Sequence, residues 1–78
     1  MTPLDSLKPQ ERGRIHSITG SPAVVQRLAE LGLFEGEEIQ FLGKAPLGDP
    51  LEIQVGTTTL SIRKKDAQGI LVQTLTQE

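Results

Sequence analysis

The chain has 78 residues, room for one domain over residues 1–78 and for a core too thin to spare side chains for a deep substrate cavity. It has no cysteine, which excludes a disulfide framework, a thiolate nucleophile and Cys-based zinc or iron–sulfur sites, and a reducing, cytoplasmic setting is expected. Eight Lys and Arg against ten Asp and Glu give a net charge of −2, so no broad attraction to nucleic acid exists, and no apolar run reaches the roughly 18 residues of a membrane span, so no membrane insertion is expected.

The first nine residues hold Pro3 and Pro9 around Leu4 and Leu7. Each proline biases its predecessor toward extended geometry, which predicts a short turn with both leucines tucked onto the core. From Arg12 to Thr19 the β-branched Ile15 and Ile18 predict a strand, and their spacing of three breaks strict alternation and predicts a bulge. Gly20 ends it. Ser21-Pro22 then forms a helix start, with a hydroxyl placed to cap and a proline at the first helical position. Val24, Leu28 and Leu31 fall on one face, which is expected to be buried. With Gly32 at C′, Leu33 becomes C″ and Leu28 C3, the apolar pair of a Schellman stop.

After Gly36, residues 37–42 read as a strand with Ile39 and Phe41 inward. Leu51, Ile53 and Val55 alternate with polar positions, as do Thr58, Leu60 and Ile62, and Gly56-Thr57 lies between them, so residues 51–62 read as a β-hairpin. Lys64 to Gln68 is short enough for one helical turn only, closed by Gly69. Ile70 to Leu75 reads as a last strand. Five short strands and one helix predict a mainly β fold, a small, strongly bent sheet or partial barrel.

Residues able to carry chemistry are scattered. His16 is the only histidine and has no acidic residue at ligand spacing, so no metal site and no cofactor is expected. None of the serines sits in a nucleophile elbow. Glu37 and Glu38 are strand neighbours on opposite faces and cannot flank one bond. The run "GKAPLGDP" lacks the closing Gly-Lys-Ser/Thr of a phosphate loop and leads into a strand instead of a helix. The reading is of a protein without catalytic residues.

Two segments suit recognition. In "APLGDP", Pro46 and Pro50 restrict the backbone, Gly48 permits a positive φ, and Asp49 can bond back into the turn, which holds Leu47 out on a stiff tip. An apolar residue so held loses little entropy when a partner covers it. Its alternative is a tight connection that tolerates a leucine. Arg63, Lys64 and Lys65 follow a strand and read either as a solvated turn or as a contact for an acidic surface.

Leu4 and Leu7, then "GRIHSI", "RLAELGLFEGEEI", "APLGDPLEIQVG" and "LSIRKKDAQGILV" together resemble the ferrous iron transport protein A family, from about Leu4 to Val72. One departure is Gln10, after Pro9, where that family more often has glycine, and it implies a changed turn. The resemblance implies an SH3-like small five-stranded barrel with one inserted helix. It also implies a partner, the ferrous iron permease of the FeoB type with its cytoplasmic GTP-binding domain. The expected role is that of a non-catalytic adaptor docking through Pro46, Leu47, Gly48, Asp49, Arg63, Lys64 and Lys65. Two alternatives are an activator of GTP hydrolysis that inserts Arg27 or Arg63, and a metal-responsive module like the SH3-like domain of iron-dependent repressors. Proline-peptide recognition is rejected, because two Phe with no Trp or Tyr cannot line the aromatic groove it needs.

Overall fold

The computed structural model describes residues 1–75; the polar end expected at Thr76, Gln77 and Glu78 lies outside them. Six strands form one antiparallel sheet: β1 (Thr2–Pro3), β2 (Arg12–Ile18), β3 (Glu38–Lys44), β4 (Leu51–Val55), β5 (Thr58–Ile62) and β6 (Ile70–Thr74), in the order β1-β6-β2-β3-β4-β5. A 3₁₀ turn (Leu4–Ser6) follows β1, helix α1 (Pro22–Glu30) lies between β2 and β3, and the one-turn α2 (Lys64–Ala67) lies between β5 and β6. The architecture is the mainly β, SH3-like one expected, with six strands where five were read. The extra strand is the two-residue β1, too short to show alternation; at a sheet edge the missing N–H of Pro3 breaks no ladder.

The inward side chains make one core of Leu4, Leu7, Ile15, Leu28, Leu33, Ile39, Phe41, Leu51, Ile53, Ile62, Ala67, Ile70 and Val72, and no polar side chain is buried among the described residues. The alternation in β4 and the burial of Leu4 and Leu7 follow the sequence reading directly. The bulge of β2 falls between Ile15 and Ser17, at His16, which is exposed. β3 runs two residues past its expected end because a second bulge, between Phe41 and Gly43, restores pairing of Lys44 with Leu51.

Helix α1 begins and ends as its sequence dictates. The Ser21 hydroxyl accepts from the Val24 amide at 3.3 Å and Pro22 is the first helical residue. At the other end Gly32 has φ +94°, its amide donates to Ala29 O at 2.9 Å, and the Leu33 amide donates to Leu28 O at 3.0 Å. These are the two bonds of a Schellman motif, and Leu28 and Leu33 are both buried. Leu31 corrects the expected face: it is 43% exposed, because the glycine turn carries Leu33 onto the core in its place.

Two close approaches bring β6 against β2. A Cβ at Gly13 would overlap Val72 Cγ1, and a Cβ at Gly69 would overlap the carbonyl oxygen of Thr19, to which Gly69 is tied through the Thr19 amide at 2.8 Å. Gly69 therefore serves close packing; its φ is not in the left-handed region. Gln10, by contrast, is a non-glycine residue with φ +73°, held there because its amide donates to Phe41 O at 2.6 Å while Gln40 Nε2 donates to its carbonyl at 3.1 Å. The glycine-type turn is kept, and strained.

Two outcomes follow for urea denaturation. Gly69→Ala is expected to lose about 2 kcal/mol, the range for forcing atoms into a filled site. Gln10→Gly is expected to gain about 0.5–1 kcal/mol, the left-handed penalty relieved less the added unfolded-state entropy.

Candidate functional site

The tip loop joins β3 to β4. The Ala45 amide donates to Pro50 O at 3.0 Å and the Gly48 amide to Ala45 O at 2.7 Å, with Gly48 at φ +85°, so two bonds close the loop on itself. The Asp49–Pro50 peptide bond is cis. Leu47 stands at the apex, 96% exposed, the most exposed large apolar side chain of the molecule's described residues. Pro46 is exposed beside it.

Asp49 does not bond back into its own turn. Its Oδ1 accepts from the Lys64 amide at 3.0 Å, the first amide of α2, where no side chain within α2's own N-cap supplies an acceptor. The expected recognition residue is thus the cap of a helix that follows it by fifteen residues. The bond has a consequence for placement: it fixes the tip loop against the basic turn, so the two segments read separately from sequence form one surface. Leu51 pairs with Ile62, which brings the start of β4 and the end of β5 to that same end of the sheet.

Arg63, Lys64 and Lys65 are all exposed, and none forms an ion pair among the described residues. Arg27 differs. Its Nη2 lies 3.3 Å from Asp66 Oδ2, an ion pair that links α1 to α2, and the Asp66 side chain is only 12% exposed. Between α1 and the end of β5 a groove of about 240 Å³ is lined by Leu28, Leu31 and Ile62, with Arg27, Arg63 and Asp66 at its polar rim. A broader hollow of about 390 Å³ on the other side, lined by Arg12, Glu37, Glu38, Ile39, Gln40, Gln54 and Gly56, has Arg12 and Arg14 turned onto Glu38. No group of three or more His, Asp or Glu among the described residues is placed to hold a metal ion. What the arrangement offers is shape and charge, with no side-chain hydrogen bond between a nucleophile and a base among the described residues.

The sheet with its inserted helix defines an SH3-like small β domain. A model of the FeoA domain matches residues 2–74, and the chain belongs to the FeoA family. Among solved structures, the FeoA protein from Chlorobium tepidum is 39% identical, with a TM-score of 0.88 over 97% of this chain and 71% of that one. The FeoA-like protein from Clostridium acetobutylicum is 30% identical, with a TM-score of 0.87 over 99% and 90%. ScaR, solved with bound Zn²⁺, is similar at 20% identity and a TM-score of 0.86 over 96% of this chain and 37% of that one, a likeness of fold alone. Family membership supports a role in ferrous iron transport. No helix of the described residues is long and apolar enough to cross a membrane.

Asp49→Ala is expected to lower stability by about 1 kcal/mol, the usual cost of a lost N-cap. Hydrogen exchange checks the assignment: protection of the Lys64 amide should drop, while Val24, capped by Ser21, should exchange as before.

Proposed function

We propose that this chain is a non-catalytic accessory protein of ferrous iron uptake, which docks on the cytoplasmic side of the GTP-binding ferrous iron permease. The permease as partner is what the resemblance to the family implies. The contact surface is read from this chain: Pro46, Leu47 and Gly48 on the tip, with Arg63, Lys64 and Lys65 beside them. One observation carries the reading, the exposure of Leu47 at 96% on a loop tied twice to itself and once to α2. Burying a leucine side chain is worth about 1.5–3 kcal/mol, and a loop already held in one conformation keeps most of that on binding. Asp49 acts within the surface as the clamp that joins its halves. The cations add attraction to an acidic face and raise the rate of encounter more than the affinity.

A second reading has Arg63 inserted toward bound GTP. It is favoured over Arg27 by a specific difference: Arg27 is committed to Asp66, whereas Arg63 has no carboxylate partner among the described residues. An inserted arginine of this kind accelerates hydrolysis by about 10³ to 10⁵-fold.

Titration of detergent-solubilised permease with the purified chain, following binding and GTP hydrolysis together, separates the two readings. Saturable binding is expected, weakened at least about tenfold in Leu47→Asp with no loss of stability, because the side chain touches solvent alone and a lost apolar anchor is worth more than 1.4 kcal/mol. Equal binding by Leu47→Asp sinks the tip as the anchor. Hydrolysis that rises on binding and fails to rise with Arg63→Ala establishes the second reading instead.

A further inference from the structure

The sheet ends in two edges of unlike kind. β1 is two residues long and contains Pro3, which has no N–H to offer. β5 is five residues, Thr58–Ile62, with no charge, no proline and no bulge in its pairing with β4. Natural edges usually carry such a device, since a row of free N–H and C=O groups recruits another strand.

Two residues, Gly56 and Thr57, join β4 to β5, so Val55 and Thr58 exchange both backbone bonds. The antiparallel alternation gives Ile53 with Leu60, and Leu51 with Ile62, the same role. The amides and carbonyls of Thr59 and Ser61 therefore point away from β4, and both residues are exposed. Beside this edge runs the groove toward α1, with Leu28, Leu31 and Ile62 in its wall. At its C-terminal end stand Arg63, Lys64 and Lys65.

We propose that β5 is a receptor edge for an extended segment of a partner protein, which adds antiparallel as a seventh strand beyond the six present and carries acidic residues just before it. Antiparallel addition places the N-terminal end of the incoming segment at Arg63–Lys65, which is why its acidic residues precede the strand. Its side chain opposite Leu60 or Ile62 points inward with them and enters the groove. That side chain is apolar. A second copy of this chain does not meet the charge requirement: in the registers that bond Thr59 or Ser61 of one copy to Thr59 or Ser61 of the other, the residues brought opposite the cations come from Ile53 to Thr59, and none is acidic. The inference rests on the docking reading only through the basic turn, which both use; the edge itself lies apart from Leu47.

The probe is a dye-labelled synthetic peptide, Glu-Glu-Asp-Val-Thr-Val-Thr-Val, followed by fluorescence anisotropy against the full chain. Saturable binding is expected, weakened about tenfold by Thr59→Pro, the loss that follows when an interfacial hydrogen bond goes unmade beside a shifted strand. The Thr59 amide takes no part in the ladder to β4, so the variant is expected to fold, checked by its amide spectrum. Should it not fold, the same peptide with alternate amides N-methylated removes the same bonds from the other side. A peptide with lysines for its acids is expected to bind at least about tenfold more weakly, the loss of charge-assisted contacts.

Several results overturn the edge: no binding by the wild type, equal binding of the N-methylated or lysine peptide, or a concentration-dependent dimer that Thr59→Pro abolishes. Permease binding that persists while the peptide fails removes the edge and keeps the tip. Peptide binding that persists while the permease is ignored does the reverse.

Discussion

The structure depends on how closely β6 can approach β2. Thirteen buried apolar residues among the described ones hold a six-stranded sheet, and such a core is covered only if the sheet bends hard over it. Gly13 and Gly69 make that bend possible, one under Val72 and the other against the Thr19 carbonyl. With any side chain at either place, β6 would stand off from β2 and the core would open along its length. The buried leucines of the first turn depend on the same contact, because β1 reaches the sheet only by pairing with β6.

The second element on which placement turns is α2, a single helical turn. Too short to be stable by itself, it is held from outside at two points: Asp49 accepts from its first amide, and Asp66 within it pairs with Arg27 of α1. Each bond fastens a different part of the molecule to the same turn. The tip loop, the basic residues and the end of α1 are thereby set relative to one another, although they come from three separate stretches of sequence. Two side chains that a reader of the sequence would offer to a partner, Asp49 and Arg27, are spent on this internal fastening. The side chains of Leu47, Arg63, Lys64 and Lys65 stay exposed, which is why the proposed docking surface is drawn on them.

Much of the fold was legible because its signals are local. Ser21-Pro22 and Gly32-Leu33 name the helix ends through capping chemistry that acts within a few residues, and the alternation of β4 and β5 reports burial directly. The bulge in β2 showed itself as an isoleucine spacing of three. What stayed hidden was long-range. Pairing of Thr2–Pro3 with Val72 and Leu71, the capping of Lys64 by Asp49, and the ion pair of Arg27 with Asp66 each join residues far apart in sequence, and no local pattern marks them. Leu31 was misplaced for a related reason: its spacing from Val24 fits the buried face, but the left-handed turn at Gly32 lets the next residue reach the core first. The tip was legible as a stiff loop, and its neighbourhood with the basic turn was not.

Charge is one reason why both proposed contacts are drawn at one end of the molecule. With a net charge of −2, the chain as a whole repels acidic surfaces weakly, yet three cations without an ion pair among the described residues are gathered where β5 ends and α2 begins. Over distances beyond about 8 Å, physiological salt screens the acidic remainder from an approaching partner, so at close range the partner meets the local positive patch. The cations by themselves bind weakly, since exposed ion pairs are worth at most about 1 kcal/mol each. In the proposed docking they would orient an acidic segment so that the directional features, the apolar tip on one side and the bare strand edge on the other, come within reach. A partner that engaged both would have its second contact made intramolecular by the first. Two weak, pre-formed contacts at one end of a small rigid sheet then hold more tightly than either could alone.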